Sequence, residues 1–252
     1  MITIRCCSQL FEPIQAIIFD KDGTLAQSEP YLVRLAQQRA ILINHQVPGI
    51  IPSLQKAFGV VSSQIGSDAL SPAGLMAVGT RLENEIAAAA CVAAMGIPWV
   101  RARQLVQAAF QQADLGQGHK VEQTPLIPGA TDLIQNLHQL GLKLAILSSD
   151  RQIEVEQFVC RFQLSTYFQA VHGVNEPFLE KSDPALLTQI FDQLDVAPNR
   201  TLMIGDSTLD AEIARQTGMA GCIGFVGGWL QPVLIDGATV TTKQFSQIEA
   251  IL

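Results

Sequence analysis

No C-x-x-C pair occurs in the 252 residues, and the cysteine count is odd: Cys6, Cys7, Cys91, Cys160 and Cys222. That spacing suits neither a zinc site nor a redox pair, and the adjacent Cys6–Cys7 is a poor start for a disulfide framework. Reduced, mostly buried thiols are expected. A bilayer-length apolar run is also missing. The apolar stretch 86–95 ends at Gly96 and Pro98, with Glu83, Glu85, Arg101 and Arg103 close by, so it reads as a buried helix. The first ten residues carry Arg5 in a short apolar stretch, without a basic start leading into a long apolar core. No signal peptide is therefore expected, and a cytoplasmic protein is. Cations are scarce, 16 Lys and Arg against 23 Asp and Glu, for a net charge of −7. An acidic balance argues against nucleic acid or an anionic membrane as a partner. It leaves room for a small anionic substrate held in a local cationic pocket. No internal repeat or low-complexity tract stands out.

What is present is core-forming material. Hydrophobic residues make up 48% and charged residues 15%, which excludes disorder and suffices for one large domain or a core with an insert. Residues 14–20, IQAIIFD, form an apolar run ending in an acid and predict a buried strand. Asp22-Gly23-Thr24 then turns the chain, with Gly23 supplying backbone freedom. Ser28 can cap a helix over about 29–45, with Pro30 in its first turn. From 47 to 124 the sequence is rich in Ala, Gln and small residues and shows no convincing strand. Helices are predicted at 52–58, 73–95 and 98–113. After Pro128 strand and helix alternate. Strands are predicted at 143–148, 168–172, 201–205, 221–225 and 238–241, with helices between them and a terminal helix from Lys243. That rhythm implies an α/β fold with right-handed crossovers and a parallel sheet.

Three of those strands end in polar residues: Asp20 after IIFD, Ser148 after LAILS and Asp206 after LMIGD. Ligands of open α/β sheets bind at that edge. Asp20 and Asp22 could share a face, with Lys21 pointing away. Two carboxylates so close repel, and a metal on one or a proton on the other relieves this. One acid can then be metal-bound and nucleophilic while the other carries a proton. The alternative, an N-cap or Asx-turn, is favoured for a lone Asp, but not for D-x-D-G-T after an apolar strand. Asp206 and Asp210 in GDSTLD offer hard oxygen ligands suited to Mg²⁺, or a capping pair that complements the helix dipole. Ser148 can donate to a phosphate oxygen, or cap the next helix. Lys181, before the helix start Ser182-Asp183-Pro184, is by default a surface lysine. A carboxylate attacking a phosphate brings like charges to ~4 Å, a repulsion of about 1 kcal/mol per pair in water and roughly 4 at an effective dielectric near 20. Mg²⁺ and Lys181 together could offset it.

FDKDGTL, LAILSS, EKSDP and IGDSTLD, in that order, resemble the four motifs of the haloacid dehalogenase (HAD) superfamily. The resemblance implies a Rossmann-like parallel-sheet core from residues 1–28 and 125–252, with an inserted all-helical C1-type cap over 29–124. It implies Asp20 as the nucleophile that forms an aspartyl-phosphate and Asp22 as general acid and base. It implies Ser148 and Lys181, with Thr24 and Ser149, as phosphate-binding groups. Asp20, Asp22 through its main-chain carbonyl, Asp206 and Asp210 would hold the cofactor Mg²⁺, Asp210 directly or in support. Two departures stand out: K-S-D-P where relatives often have K-P-x-P, and Ser149 where Asn is common. The implied activity is a magnesium-dependent phosphatase for a small phosphorylated metabolite, resembling the phosphoglycolate phosphatase branch through DGTLAQSEP. A β-phosphoglucomutase-type phosphomutase is the alternative enzyme, disfavoured by Thr24 where Val would stand. A non-catalytic phospho-ligand binding module is the alternative of another class. A dehalogenase fits less well, having no need of an acid at Asp22 or of Mg²⁺. A homodimer is compatible with the sequence. Specificity is expected to reside in side chains of 47–124, with Arg81, Arg101 and Arg103 as cationic candidates. His119 and His172 are the histidines that could face the site.

Overall fold

The structure, a computed structural model, describes residues 2–62, 66, 68–175 and 180–252. The chain divides into two compact units, Met1–Gln27 with Pro125–Leu252, and Ser28–Thr124.

In chain order the first unit opens with strands β1 (Ile2–Cys6), β2 (Gln9–Ile14) and β3 (Ala16–Phe19). The inserted unit carries helix α1 (Glu29–Asn44), α2 (Ile51–Phe58), strands β4 (Val60–Ser62) and β5 (Asp68–Leu70), then α3 (Leu75–Val78), α4 (Arg81–Ala94), α5 (Trp99–Gln117) and α6 (Lys120–Gln123). The first unit resumes with α7 (Ala130–Gln139), β6 (Lys143–Arg151), α8 (Gln152–Arg161), β7 (Phe168–Val174), α9 (Pro184–Leu194), β8 (Thr201–Gly205), α10 (Thr208–Thr217), β9 (Gly221–Phe225), β10 (Val240–Thr242) and β11 (Ile248–Ile251).

Six strands form one sheet in the order β10-β9-β8-β3-β6-β7, every pair parallel. The α/β fold is thus as the alternation predicts. β3, AIIF, is buried along its whole length, as a central strand covered on both faces must be. The chain runs outward from β3 through β6 to β7, then returns to its other side for β8, β9 and β10. The order therefore reverses at β3, which places a ligand crevice at its C-terminal end. Register aligns that edge: Phe19 pairs with Ile146 of β6 and with Ile204 of β8. Asp20, Ser148 and Asp206 follow within two residues of those partners. Below the edge the core continues through Ile18, Ala145, Leu147, Met203 and Ile190, all buried.

Several expectations need correction. The inserted unit is not all-helical, since β4 and β5 pair antiparallel, Val60 opposite Leu70 and Ser62 opposite Asp68. Each has three residues, too short for an alternating pattern to register. The helix expected over 73–95 is two helices, broken where Gly79 and Thr80 are extended. Thr80 then forms a capping box with Glu83, so T-x-x-E restarts the helix. Ser28 stands at the N-cap of α1 without a side-chain cap bond to it.

The terminal helix is also replaced, by a 3₁₀ turn at Phe245–Gln247 and strand β11. Phe245 stacks on Phe225, ring centroids 4.3 Å apart, and β11 pairs antiparallel with β1. β1 and β2 thereby join β11 in a second, three-stranded sheet of order β11-β1-β2. Only Cys6 and Cys222 are buried, whereas Cys7 and Cys160 are exposed, against the expectation of mostly buried thiols. Among the described residues no helix is long and apolar enough to cross a membrane.

Candidate active site

β3 ends at Phe19, and the next residues leave the strand. Asp20 stays tied to the sheet, its N–H donating to the Ile204 carbonyl at 2.9 Å. The turn closes through Gly23, at φ 77°, whose N–H reaches the Ala26 carbonyl at 2.9 Å. A methyl at Gly23 would collide with the Asp206 carboxylate and the Trp229 indole as well as strain the backbone. The glycine is thus required twice.

Lys181 is not a surface lysine. It is 3% exposed, and its ammonium donates to Asp20 Oδ1 and, at 2.6 Å, to Asp210 Oδ1. The Ser182-Asp183-Pro184 start does its expected work beside it, Asp183 capping α9 by accepting from the Ala185 N–H at 2.8 Å. Asp210 is fully buried and serves two readings at once. Its Oδ1 takes Lys181, while its Oδ2 accepts from the Ser207 N–H (3.0 Å) and hydroxyl (2.6 Å) in a capping box. Gly205 makes this possible, because any side chain there would run into the Asp210 carboxylate.

Asp206 is 4% exposed. Its Oδ2 accepts from the Trp229 indole N–H at 2.5 Å, and its Oδ1 lies 3.4 Å from the Thr24 hydroxyl. Ser148 is buried at the end of the apolar part of β6, its hydroxyl oxygen accepting from the Asp150 N–H at 3.2 Å. Ser149 beside it is half-buried.

The electrostatics follow from burial. Burial pushes Asp20 up from the usual carboxylate range. Lys181 pulls it back, and Asp210 and Asp22 push it up again. Asp206 is driven well above that range by burial, then by Asp20 and Asp210. Burial alone would lower Lys181, but Asp20 and Asp210 hold its proton more tightly than usual. Asp20, Asp206 and Asp210 are thus three buried carboxylates served by the Lys181 ammonium, which pairs with Asp20 and Asp210, an arrangement short of positive charge.

The donor chemistry fits a hard dication. Among the described residues no three His, Cys, Asp or Glu side chains make a ready-built metal cage. Mg²⁺ does not need one, because it takes one or two carboxylates and completes its shell with water and substrate oxygens.

Lys21 departs from expectation. It was expected to point away from the acids. Instead it is 1% exposed, its ammonium 2.6 Å from Asp22 Oδ1 and 2.9 Å from Asp150 Oδ2, and 5.4 Å from the Phe158 ring centroid. Strand alternation does not apply beyond Phe19, where the chain is already turning. Lys21, Asp150 and Trp229 are the residues of this region that the sequence reading missed. D-K-D carried a hint, since a cation between two acids is well placed to neutralise one of them.

Among the remaining candidates, His172 and Arg81 have partners of their own, and the others are exposed. His172 Nε2 lies 2.8 Å from Gln193 Oε1, and His119 is exposed. In the inserted unit Arg101 and Arg103 are exposed, while Arg81 pairs with Glu85 at 2.9 Å and with Asp114. Arg39, unremarked in the sequence, is a buried cation of that unit. It stacks 4.0 Å over Phe110 and shares Asp114 with Arg81.

Comparison with known proteins defines the class. The family model of haloacid dehalogenase-like hydrolases matches residues 14–218, and the chain belongs to that family. Within it, the chain is 29% identical over 206 residues to a phosphoglycolate phosphatase of Synechococcus elongatus, covering 82% of this chain and 81% of that one. It is 27% identical over 252 residues to the phosphoglycolate phosphatase of Aliivibrio fischeri, covering 96% and 98%. The fold matches the crystal structure of a predicted phosphoglycolate phosphatase from Haemophilus somnus with a TM-score of 0.63 at 18% identity, over 90% of this chain and 93% of that one.

Proposed function

We propose that the protein is a Mg²⁺-dependent phosphatase that hydrolyses a small phosphomonoester through an aspartyl-phosphate on Asp20, with phosphoglycolate as the first candidate substrate. The observation that carries this reading is the buried Lys181 ammonium held between Asp20 and Asp210 at the C-terminal end of β3. A phosphoryl group arriving there would meet a nucleophilic carboxylate beside a fixed cation.

In this reading Asp20 Oδ attacks phosphorus, and the P–O bond to the leaving group breaks. Asp22 gives its proton to that leaving oxygen, then takes one from the water that cleaves the Asp20–phosphate bond. Lys181 holds a phosphoryl oxygen as charge develops. Ser148 donates its hydroxyl proton to another, with Ser149 and Thr24 as further candidates. Asp20, the Asp22 carbonyl and Asp206 would hold Mg²⁺, which when bound neutralises phosphate charge and allows the carboxylate to approach. Asp210 has both oxygens engaged, by Lys181 and by the cap, which favours support of Lys181 over direct ligation.

The phosphoglycolate assignment draws on relatives that carry that name over most of their length. Ranking kcat/KM for phosphoglycolate, sugar phosphates and nucleotides with Mg²⁺ tests it. Phosphoglycolate is expected first, and a preferred sugar phosphate that is isomerised faster than phosphate is released would replace the phosphatase with a mutase.

A further inference from the structure

The segment after β9 reads Val226-Gly227-Gly228-Trp229-Leu230 and belongs to none of the four motifs above. Its two glycines are both enforced by close approach. A side chain at Gly228 would run into the main chain of Gly23, and one at Gly227 into the Lys243 carbonyl. The loop therefore lies with its backbone directly against the D-x-D-G-T turn. That contact delivers Trp229, 7% exposed, to the Asp206 carboxylate, where its indole N–H donates to Oδ2 at 2.5 Å.

Indole is a donor only and cannot itself ligate a cation through that nitrogen. Its effect on Asp206 is directional. Oδ2 accepts a short bond from Trp229, and among the described residues the hydrogen bond to the other oxygen, Oδ1, is the long 3.4 Å contact from Thr24. A carboxylate held by one oxygen and open at the other suits monodentate Mg²⁺ binding. Trp229 is moreover one of only two tryptophans, the other being Trp99, which is 46% exposed and lies in the inserted unit.

We propose that Trp229 is a positioning residue for the cation site, fixing Asp206 Oδ2 so that Oδ1 is presented to Mg²⁺, and that residues 226–230 are a fifth segment of the active site. The proposal rests on the Mg²⁺ reading above and deepens it.

Calorimetric titration of the metal-free protein with MgCl₂ tests it, comparing wild type with Trp229→Phe. Loss of the N–H is expected to weaken Mg²⁺ binding about 10–100-fold, the range typical of removing a partner that orients a ligand. The Mg²⁺ concentration for half-maximal hydrolysis of p-nitrophenyl phosphate should rise by the same factor, with kcat at saturating Mg²⁺ largely kept. In a Trp99→Phe background, emission of the remaining Trp229 should change on Mg²⁺ addition with the calorimetric Kd. Should Trp229→Phe not fold, replacement of Trp229 by its benzothiophene isostere removes the N–H and keeps the shape. An unchanged Mg²⁺ Kd in the variant, or a loss confined to kcat at saturating Mg²⁺, overturns the positioning role while leaving the phosphatase reading intact. A wild type that binds no Mg²⁺ overturns both.

Discussion

Asp206 is buried beside two other buried carboxylates, an environment that disfavours its anionic form in the absence of metal. Burial, with Asp20 and Asp210 adding to it, raises its proton affinity in the folded state. The sign follows directly. A carboxyl whose folded pKa lies above its unfolded value costs stability as pH rises past the unfolded value, and the cost is complete above the folded one. Asp206→Asn removes the charge and keeps an oxygen to accept from Trp229. Without Mg²⁺ the variant should therefore melt above wild type at pH 8, and the gap should narrow as pH falls from 8 toward 5, nearer the ordinary carboxyl range of the unfolded chain. Differential scanning calorimetry across that range checks this, and a pH-independent gap, or a less stable variant at pH 8, would refute the electrostatic account.

Asp20 and Asp206 were legible in the sequence because each follows a buried strand, and Asp210 because it lies in the first turn of the next helix. Trp229 and Lys21 were not. Trp229 reaches Asp206 only through a loop whose glycines mark close approach, and sequence cannot say to what. Lys21 was misplaced by carrying strand alternation past the strand's last residue.

Elements differ in how far local signals determine them. α4 begins where Thr80 and Glu83 satisfy each other's backbone donors, and the Glu83 carboxylate accepts from the Thr80 N–H at 2.7 Å. That box is independent of distant contacts. Thr80→Ala should cost about 1 kcal/mol, the usual value of an N-cap hydroxyl, measured by urea denaturation. A change below ~0.3 kcal/mol would mean that packing alone defines the start of α4.

α9 and α10 likewise announce themselves by Asp183-Pro184 and Ser207-x-x-Asp210. β11 does not. IEAIL has no strand pattern of its own, and it becomes extended because β1, almost the whole chain length away, offers an unpaired edge. β4 and β5 fail for a related reason, since a three-residue strand is specified by its partner. The central strands were legible because burial on both faces demands an uninterrupted apolar run, which AIIF and LMIG supply.

At the scale of the molecule, strand order concentrates the chemistry. β3 is the first strand of the parallel sheet, with β6 on one side and β8 on the other, so three separate chain segments deliver Asp20, Ser148 and Asp206 to one edge. Lys181 arrives from the segment ahead of α9 and Asp210 from the first turn of α10. The protein carries a net charge of −7, yet the candidate site holds a buried ammonium, Lys181, between Asp20 and Asp210.

The central claim is that Asp20 is the nucleophile, and turnover of p-nitrophenyl phosphate by Asp20→Asn at saturating Mg²⁺ tests it most directly. Hydrolysis is predicted to fall by at least about 10³-fold, the scale on which removing a nucleophile acts, with the fold intact by circular dichroism. Retention of wild-type Mg²⁺-dependent hydrolysis by Asp20→Asn would contradict the account.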